Sequence, residues 1–176
     1  MFSVNEKIVY PGHGVAKVNR TVEKNIAGHT VLFYELTFLN KDMTILIPIH
    51  NLASAGVRRL SSQKKINDIL VMLAEPAMKD VHELTASNWN KRSKEYQSKL
   101  RSGDLDEICC VYRDLRHIAT KKELSFGEKS LLQQTEMLLA QEISIVNQVE
   151  EEQAIERLRS VLMVHQRTPQ TQVTVA

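Results

Sequence analysis

A single tryptophan, Trp89, stands at the head of the segment Ser87-Asn88-Trp89-Asn90-Lys91-Arg92-Ser93-Lys94-Glu95-Tyr96-Gln97-Ser98-Lys99-Leu100-Arg101. Five cations follow it (Lys91, Arg92, Lys94, Lys99 and Arg101) against one anion, Glu95. That is a local balance of +4 in a chain whose net charge is +2. A large flat ring beside phosphate-seeking cations suits a surface that grips a nucleic-acid backbone and pushes a wedge between bases. The same pattern also describes a core tryptophan on a solvated amphipathic helix. On an ideal helix Trp89, Tyr96 and Leu100 share one face. Tyr96 and Leu100 are then expected in the core, with Trp89 further out and able to project past the helical bundle.

Catalytic chemistry needs a constellation that this sequence does not supply. Pro11-Gly12-His13-Gly14 has two glycines, but no Lys-Ser/Thr follows and no helix begins there, so it reads as a turn rather than a phosphate loop. Neither Gly-x-Ser-x-Gly nor His-Glu-x-x-His occurs. Asp104, Asp106 and Glu107 cluster where a helix should start, and carboxylates there stabilise the N-terminus. The adjacent Cys109 and Cys110 could rarely close on each other and fall on a predicted core helix, where a cysteine acts as a small hydrophobe. The six histidines are scattered without ligand spacing. No metal, no cofactor and no enzymatic activity are expected. The sequence reads as a binder.

Two kinds of element must position these residues. Up to Pro48 the chain reads as short strands, at Ile8-Val9-Tyr10, 15–22, 31–38 and Thr44-Ile45-Leu46-Ile47-Pro48. Turns at Pro11-Gly12-His13-Gly14, Asn25-Ile26-Ala27-Gly28-His29 and Asn40-Lys41-Asp42 separate them. Even spacing and tight turns predict a small closed or half-closed barrel. From Ser61 the period changes. Ile66, Ile69, Leu70 and Leu73 recur at helical spacing until Pro76. Asp104 with Glu107 fits a capping box, leading a core stripe of Leu105, Ile108, Tyr112, Leu115 and Ile118 or Ala119. Ser125-Phe126-Gly127-Glu128 is a second box before a long helix through Leu131, Leu132, Thr135, Leu138, Leu139 and Ile143. A last helix carries Ile155, Leu158, Val161 and Leu162, after which the tail has no period. The expected organisation is α+β in two domains: a small β-barrel over residues 1–58, a helical bundle over 59–165, and a disordered tail over 166–176.

Composition sets the remaining bounds. The 176 residues are 43% hydrophobic and 25% charged, ordinary for a globular protein. Charge balances of +3, +2 and −3 over residues 1–60, 61–135 and 136–176 give no global nucleic-acid signature, which leaves only the patch at 91–101. No run of eighteen apolar residues is available to span a membrane. The opening Met1-Phe2-Ser3-Val4-Asn5-Glu6-Lys7 lacks the regions of a signal peptide, so a cytoplasmic location is expected. A monomer is expected too, because no sustained heptad appears.

With these elements in order, the chain resembles the CarD/CdnL family of bacterial transcription regulators. The resemblance is carried by Asn5-Glu6-Lys7-Ile8-Val9-Tyr10-Pro11-Gly12-His13-Gly14, Ile47-Pro48, Ala55-Gly56-Val57-Arg58 and Asn88-Trp89-Asn90-Lys91-Arg92. Ser102-Gly103-Asp104, Val111-Tyr112-Arg113-Asp114-Leu115 and Leu124-Ser125-Phe126-Gly127-Glu128-Lys129 continue it, collinear from about residue 1 to about 163. The resemblance implies a Tudor-like (SH3-like) N-terminal domain that docks on the β subunit of bacterial RNA polymerase. It implies a helical domain that touches promoter DNA at the upstream edge of the open bubble, without sequence-specific readout. Trp89 matches the family's minor-groove wedge, and Lys91, Arg92 and Lys94 match the basic residues after it, here assigned to phosphates. On the polymerase side Lys24 stands where members often carry a cation, with Ile26 two residues on. Leu46 replaces an arginine found in some members, exchanging a salt bridge for an apolar contact. The competing function is a polymerase-docking module whose helical domain recruits another protein and whose Trp89 is an interface anchor. A general architectural DNA binder would need a more strongly basic surface than this chain has.

Overall fold

The computed structural model describes residues 1–76 and 79–163. The N-terminal part is a five-stranded antiparallel sheet of β1 (Lys7–Tyr10), β2 (Gly14–Ile26), β3 (His29–Phe38), β4 (Thr44–Pro48) and β5 (Arg58–Arg59), ordered β4-β3-β2-β1-β5. The expected Tudor-like barrel is therefore present in its half-closed form, with β4 and β5 as edges. Two strands run longer than turn residues alone suggest. β2 and β3 stay paired to Ile26 opposite His29, and the turn shrinks to Ala27 and Gly28, both at positive φ. A bulge between Val18 and Arg20 lets this long hairpin twist. Strand alternation sends Ile8, Ala16, Val18, Tyr34, Leu36, Phe38 and Ile47 into one core, joined by Leu52 behind a 3-10 turn over Ile49–Asn51.

Among the described residues six helices follow: α1 (Gln63–Ala74), α2 (Val81–Thr85), α3 (Trp89–Ser102), α4 (Leu105–Lys121), α5 (Phe126–Asn147) and α6 (Glu151–Met163). Helix-period stripes make the main core from Ile66, Ile69, Leu73, Leu105, Ile108, Tyr112, Leu139, Ile143 and Leu158. On α4 the stripe ends at the buried Ile118, and Ala119 faces solvent. A second cluster of Tyr96, Leu100, Val111, Leu115 and Leu131 lies under Trp89. The Ser125 box is formed reciprocally with Glu128. At α4 the expectation is corrected. Asp104 caps the Asp106 amide at 2.9 Å, while Glu107 turns outward to Lys99, so a cap forms without a box. Helix α2 was not anticipated: five residues are too few to show a period, although Asp80 caps it and Leu84 is buried. The tail over 166–176 lies outside the described residues.

Polar contacts join the sheet to the helices. Arg58 grips both carboxylate oxygens of Glu142 at 2.8 Å, and the Ser61 amide donates to the same group. Arg58 Nε also donates to the Gly103 carbonyl, and the Val15 amide donates to Gln141 Oε1 at 2.9 Å. Gly14, at φ +100°, leaves room for that glutamine, since a Cβ there would overlap its Oε1.

Candidate nucleic-acid interface

Helix α3 begins where Asn88 accepts the Lys91 amide at 2.9 Å, which places Trp89 in the first helical position. Tyr96 and Leu100 are buried on the same face, as helical spacing requires. Trp89 is half-buried, packed against their cluster at its outer end. Its indole lies on the first turn of α5: a Cβ on Gly127 would come within 2.9 Å of Trp89 Cζ2. Beside it Phe126, the first residue of α5, is 89% exposed. The starts of α3 and α5 thus meet through the indole and Gly127, with the exposed Phe126 next in sequence.

The basic residues divide. Lys91 and Lys94 are exposed, as is Arg101. Among the described residues none of the three makes a salt bridge. Arg92 departs from its expected place and is corrected. It is 6% exposed, its Nη2 donates to Glu128 Oε1, and its Nη1 donates to the Ser87 carbonyl at 3.2 Å. Its guanidinium also stacks on the Trp89 ring, 5.2 Å from the centroid. A cation so enclosed cannot meet a phosphate without breaking its pair. The physical reason is periodic: Arg92 lies three residues after Trp89 and four before Tyr96, on the buried stripe. Burial alone would raise the Glu128 carboxyl, but the Ser125 amide and hydroxyl, then Lys122, outweigh it and hold the group below the ordinary carboxylate range. Glu128 therefore faces the Arg92 guanidinium as a carboxylate at neutral pH.

Lys24, Ile26 and Leu46 share the sheet face opposite the barrel core. Arg20, Val22, Lys24 and Ile26 alternate along β2, and Leu46 sits across Glu35 from Arg20. Ile26 is 49% exposed and Leu46 37% exposed. Lys24 Nζ rides 6.0 Å over the Phe33 ring. Leu46 neighbours the Arg20–Glu35 ion pair, which closes at 2.9 Å. The face offers two apolar side chains, a cation over an aromatic ring and a fixed ion pair, in front of the unpaired edge of β4.

The two halves of this geometry match two descriptions. Residues 2–61 match "CarD-like/TRCF RID domain", and residues 74–159 match "CarD, C-terminal domain". The chain belongs to the CarD-like family. The Bacillus subtilis (strain 168) protein named "Putative transcription factor YdeB" is 26% identical over 160 residues, spanning 87% of this CarD-like chain and 97% of that protein.

Other chemistry is sparse. Cys109 is fully buried and Cys110 half-buried on α4, and burial pushes both thiols up, away from nucleophilic reactivity. Among the described residues no group of three His, Cys, Asp or Glu side chains could hold a metal ion. Among the same residues no helix is long and apolar enough to cross a membrane. Spacing alone put Trp89, Lys91 and Lys94 on their helix and missed Phe126, Gly127 and Glu128 as surroundings of the indole. The available signal for Phe126 was its place off the Leu131–Thr135–Leu138 stripe of α5.

Proposed function

We propose that this CarD-like chain is a transcription regulator that docks on the β subunit of bacterial RNA polymerase and stabilises the promoter open complex. Docking uses the face bearing Lys24, Ile26 and Leu46 on the domain over residues 1–58. An edge strand supplies backbone hydrogen bonds to a partner strand, and a few side chains select the partner. The helical domain over residues 59–165 meets DNA at the upstream edge of the bubble, in the minor groove and without reading sequence. Trp89 is the wedge, Phe126 widens the apolar surface beside it, and Lys91 and Lys94 hold phosphates. The protein acts as a monomer in the cytoplasm, at the nucleoid, through its polymerase.

The observation that carries this reading is the half-buried indole at a bundle corner, with an 89% exposed phenylalanine next to its platform and exposed lysines on its own helix. Paired duplex offers no space for such rings, whereas an opened step does. A ring that stacks there favours the open form by its differential affinity, about 1–3 kcal/mol. Tethering to polymerase raises the local concentration, so two lysines suffice without a strongly basic surface.

Footprinting of polymerase–promoter complexes tests the assignment. Wild-type protein is expected to extend protection at the upstream edge of the bubble, and Trp89→Ala with Phe126→Ala to remove that extension while still binding polymerase. An unchanged footprint in the double variant would favour a helical domain that recruits another protein.

A further inference from the structure

Gly127 has no conformational reason to be glycine. It sits in the first turn of α5 at ordinary helical φ, where alanine is the better helix former. The three heavy atoms nearest to where its side chain would begin all belong to the Trp89 indole. A Cβ there would stand 2.9 Å from Trp89 Cζ2, closer than real Cβ atoms come, and 3.0 Å from Nε1 and 3.1 Å from Cε2, tighter than most Cβ contacts, so the ring would have to shift. The next residue, Glu128, holds the Arg92 guanidinium that stacks on the same ring. Platform and brace therefore come from one turn of α5, and both act on an indole that belongs to α3.

We infer that Gly127 and the Arg92–Glu128 pair are positioning residues that preset the pose of Trp89 for DNA. This rests on the wedge reading above. A half-exposed tryptophan free to change rotamer would lose that freedom on inserting between bases, whereas a ring already seated loses little. Glu128 also receives the Ser125 amide at 2.9 Å and Lys122 Nζ at 3.4 Å, so the brace is fixed to the α5 N-terminus rather than to a mobile side chain. Arg92 acts on DNA through the indole, not through phosphate.

Trp89 is the chain's one tryptophan, so its emission reports the pose without polymerase or DNA. Gly127→Ala and Glu128→Gln are compared with wild type by emission maximum, acrylamide quenching, thermal melting and open-complex lifetime. Gly127→Ala is expected to melt at or above wild type, yet to shift emission to longer wavelength and increase quenching. Its gain in open-complex lifetime is expected to fall roughly three- to tenfold, because a ligand shifts an equilibrium only by its differential affinity. Glu128→Gln keeps a capping-box side chain while losing the charge, so a like change in emission reports the brace itself. Unchanged emission and quenching in Gly127→Ala overturns the inference. So does a shifted emission with an undiminished lifetime gain in a series where Trp89→Ala abolishes that gain. If Trp89→Ala itself costs no lifetime, the wedge reading falls, and the emission of Gly127→Ala alone decides whether this turn seats the ring.

Discussion

At the residue scale, Lys91 and Arg92 are neighbours in sequence and opposites in role. Lys91 is exposed, and Arg92 is enclosed by Trp89, Ser87 and Glu128. Arg92→Ala leaves Glu128 buried beside only Lys122 and Ser125, and is expected to destabilise the fold by about 3 kcal/mol, read as a lowered midpoint in chemical denaturation. Lys91→Ala and Lys94→Ala are expected to stay within about 0.5 kcal/mol of wild type in the same measurement. Each lysine variant should instead reduce the salt dependence of DNA engagement, with a slope smaller by roughly 0.9 for each phosphate no longer neutralised. A salt slope lowered by Arg92→Ala at unchanged stability would reverse the two roles. The shared face of Trp89, Tyr96 and Leu100 was legible in the spacing, whereas Arg92 read as a phosphate contact and is instead buried on that face. The partner of Arg92 was not legible, because Glu128 lies 36 positions away and only the folded bundle brings it beside Arg92.

At the element scale, local chemistry located most elements and left their ends to pairing. The five residues from Asn25 to His29 look like one turn, yet ladder hydrogen bonds extend β2 to Ile26 and start β3 at His29. Ala27 is thereby forced to φ 52°, where its Cβ costs about 1 kcal/mol. Ala27→Asn, giving the Asn-Gly pair that such two-residue turns prefer, is expected to stabilise the protein by about 0.5–1 kcal/mol in denaturant melts. A destabilised variant would mean that the turn is not of this type. Helix α2 shows the opposite limit, since five residues hold too little periodicity to be read without the surface they cover. The Asp104 cap shows a third case: the residue types suit a box, but Lys99 draws Glu107 away from the Asp104 amide.

At the scale of the whole molecule, the two domains were legible as a change of hydrophobic period near residue 60, but the joint between them was not. Each contact joins positions far apart in sequence, Arg58 and Ser61 to Glu142, Arg58 to Gly103 and Val15 to Gln141, and none carries a pattern. Burial alone would raise the Glu142 carboxyl, yet Arg58 overcomes it and holds the folded group below the ordinary glutamate range. The unfolded chain therefore takes up a proton first as pH falls. The stabilisation is fully present above the ordinary glutamate range and is lost as pH drops through and below it. Glu128 and Glu136 titrate in the same sense, while burial raises Asp114 and opposes them. The difference between wild type and Glu142→Gln isolates the interdomain pair: about 2–3 kcal/mol at pH 7, shrinking towards zero in acid. A difference independent of pH would mean that the pair does not hold the domains. On the proposed function, that joint would hold Trp89 in one place relative to the docking domain, so that it would reach the same DNA step each time. Open-complex lifetime on one promoter, with no protein, wild type and Trp89→Ala, tests the central claim most directly. Wild type is expected to lengthen it by about ten- to hundredfold at most, and Trp89→Ala to lose most of that gain while still binding polymerase. Equal lifetimes with wild type and Trp89→Ala would contradict the wedge.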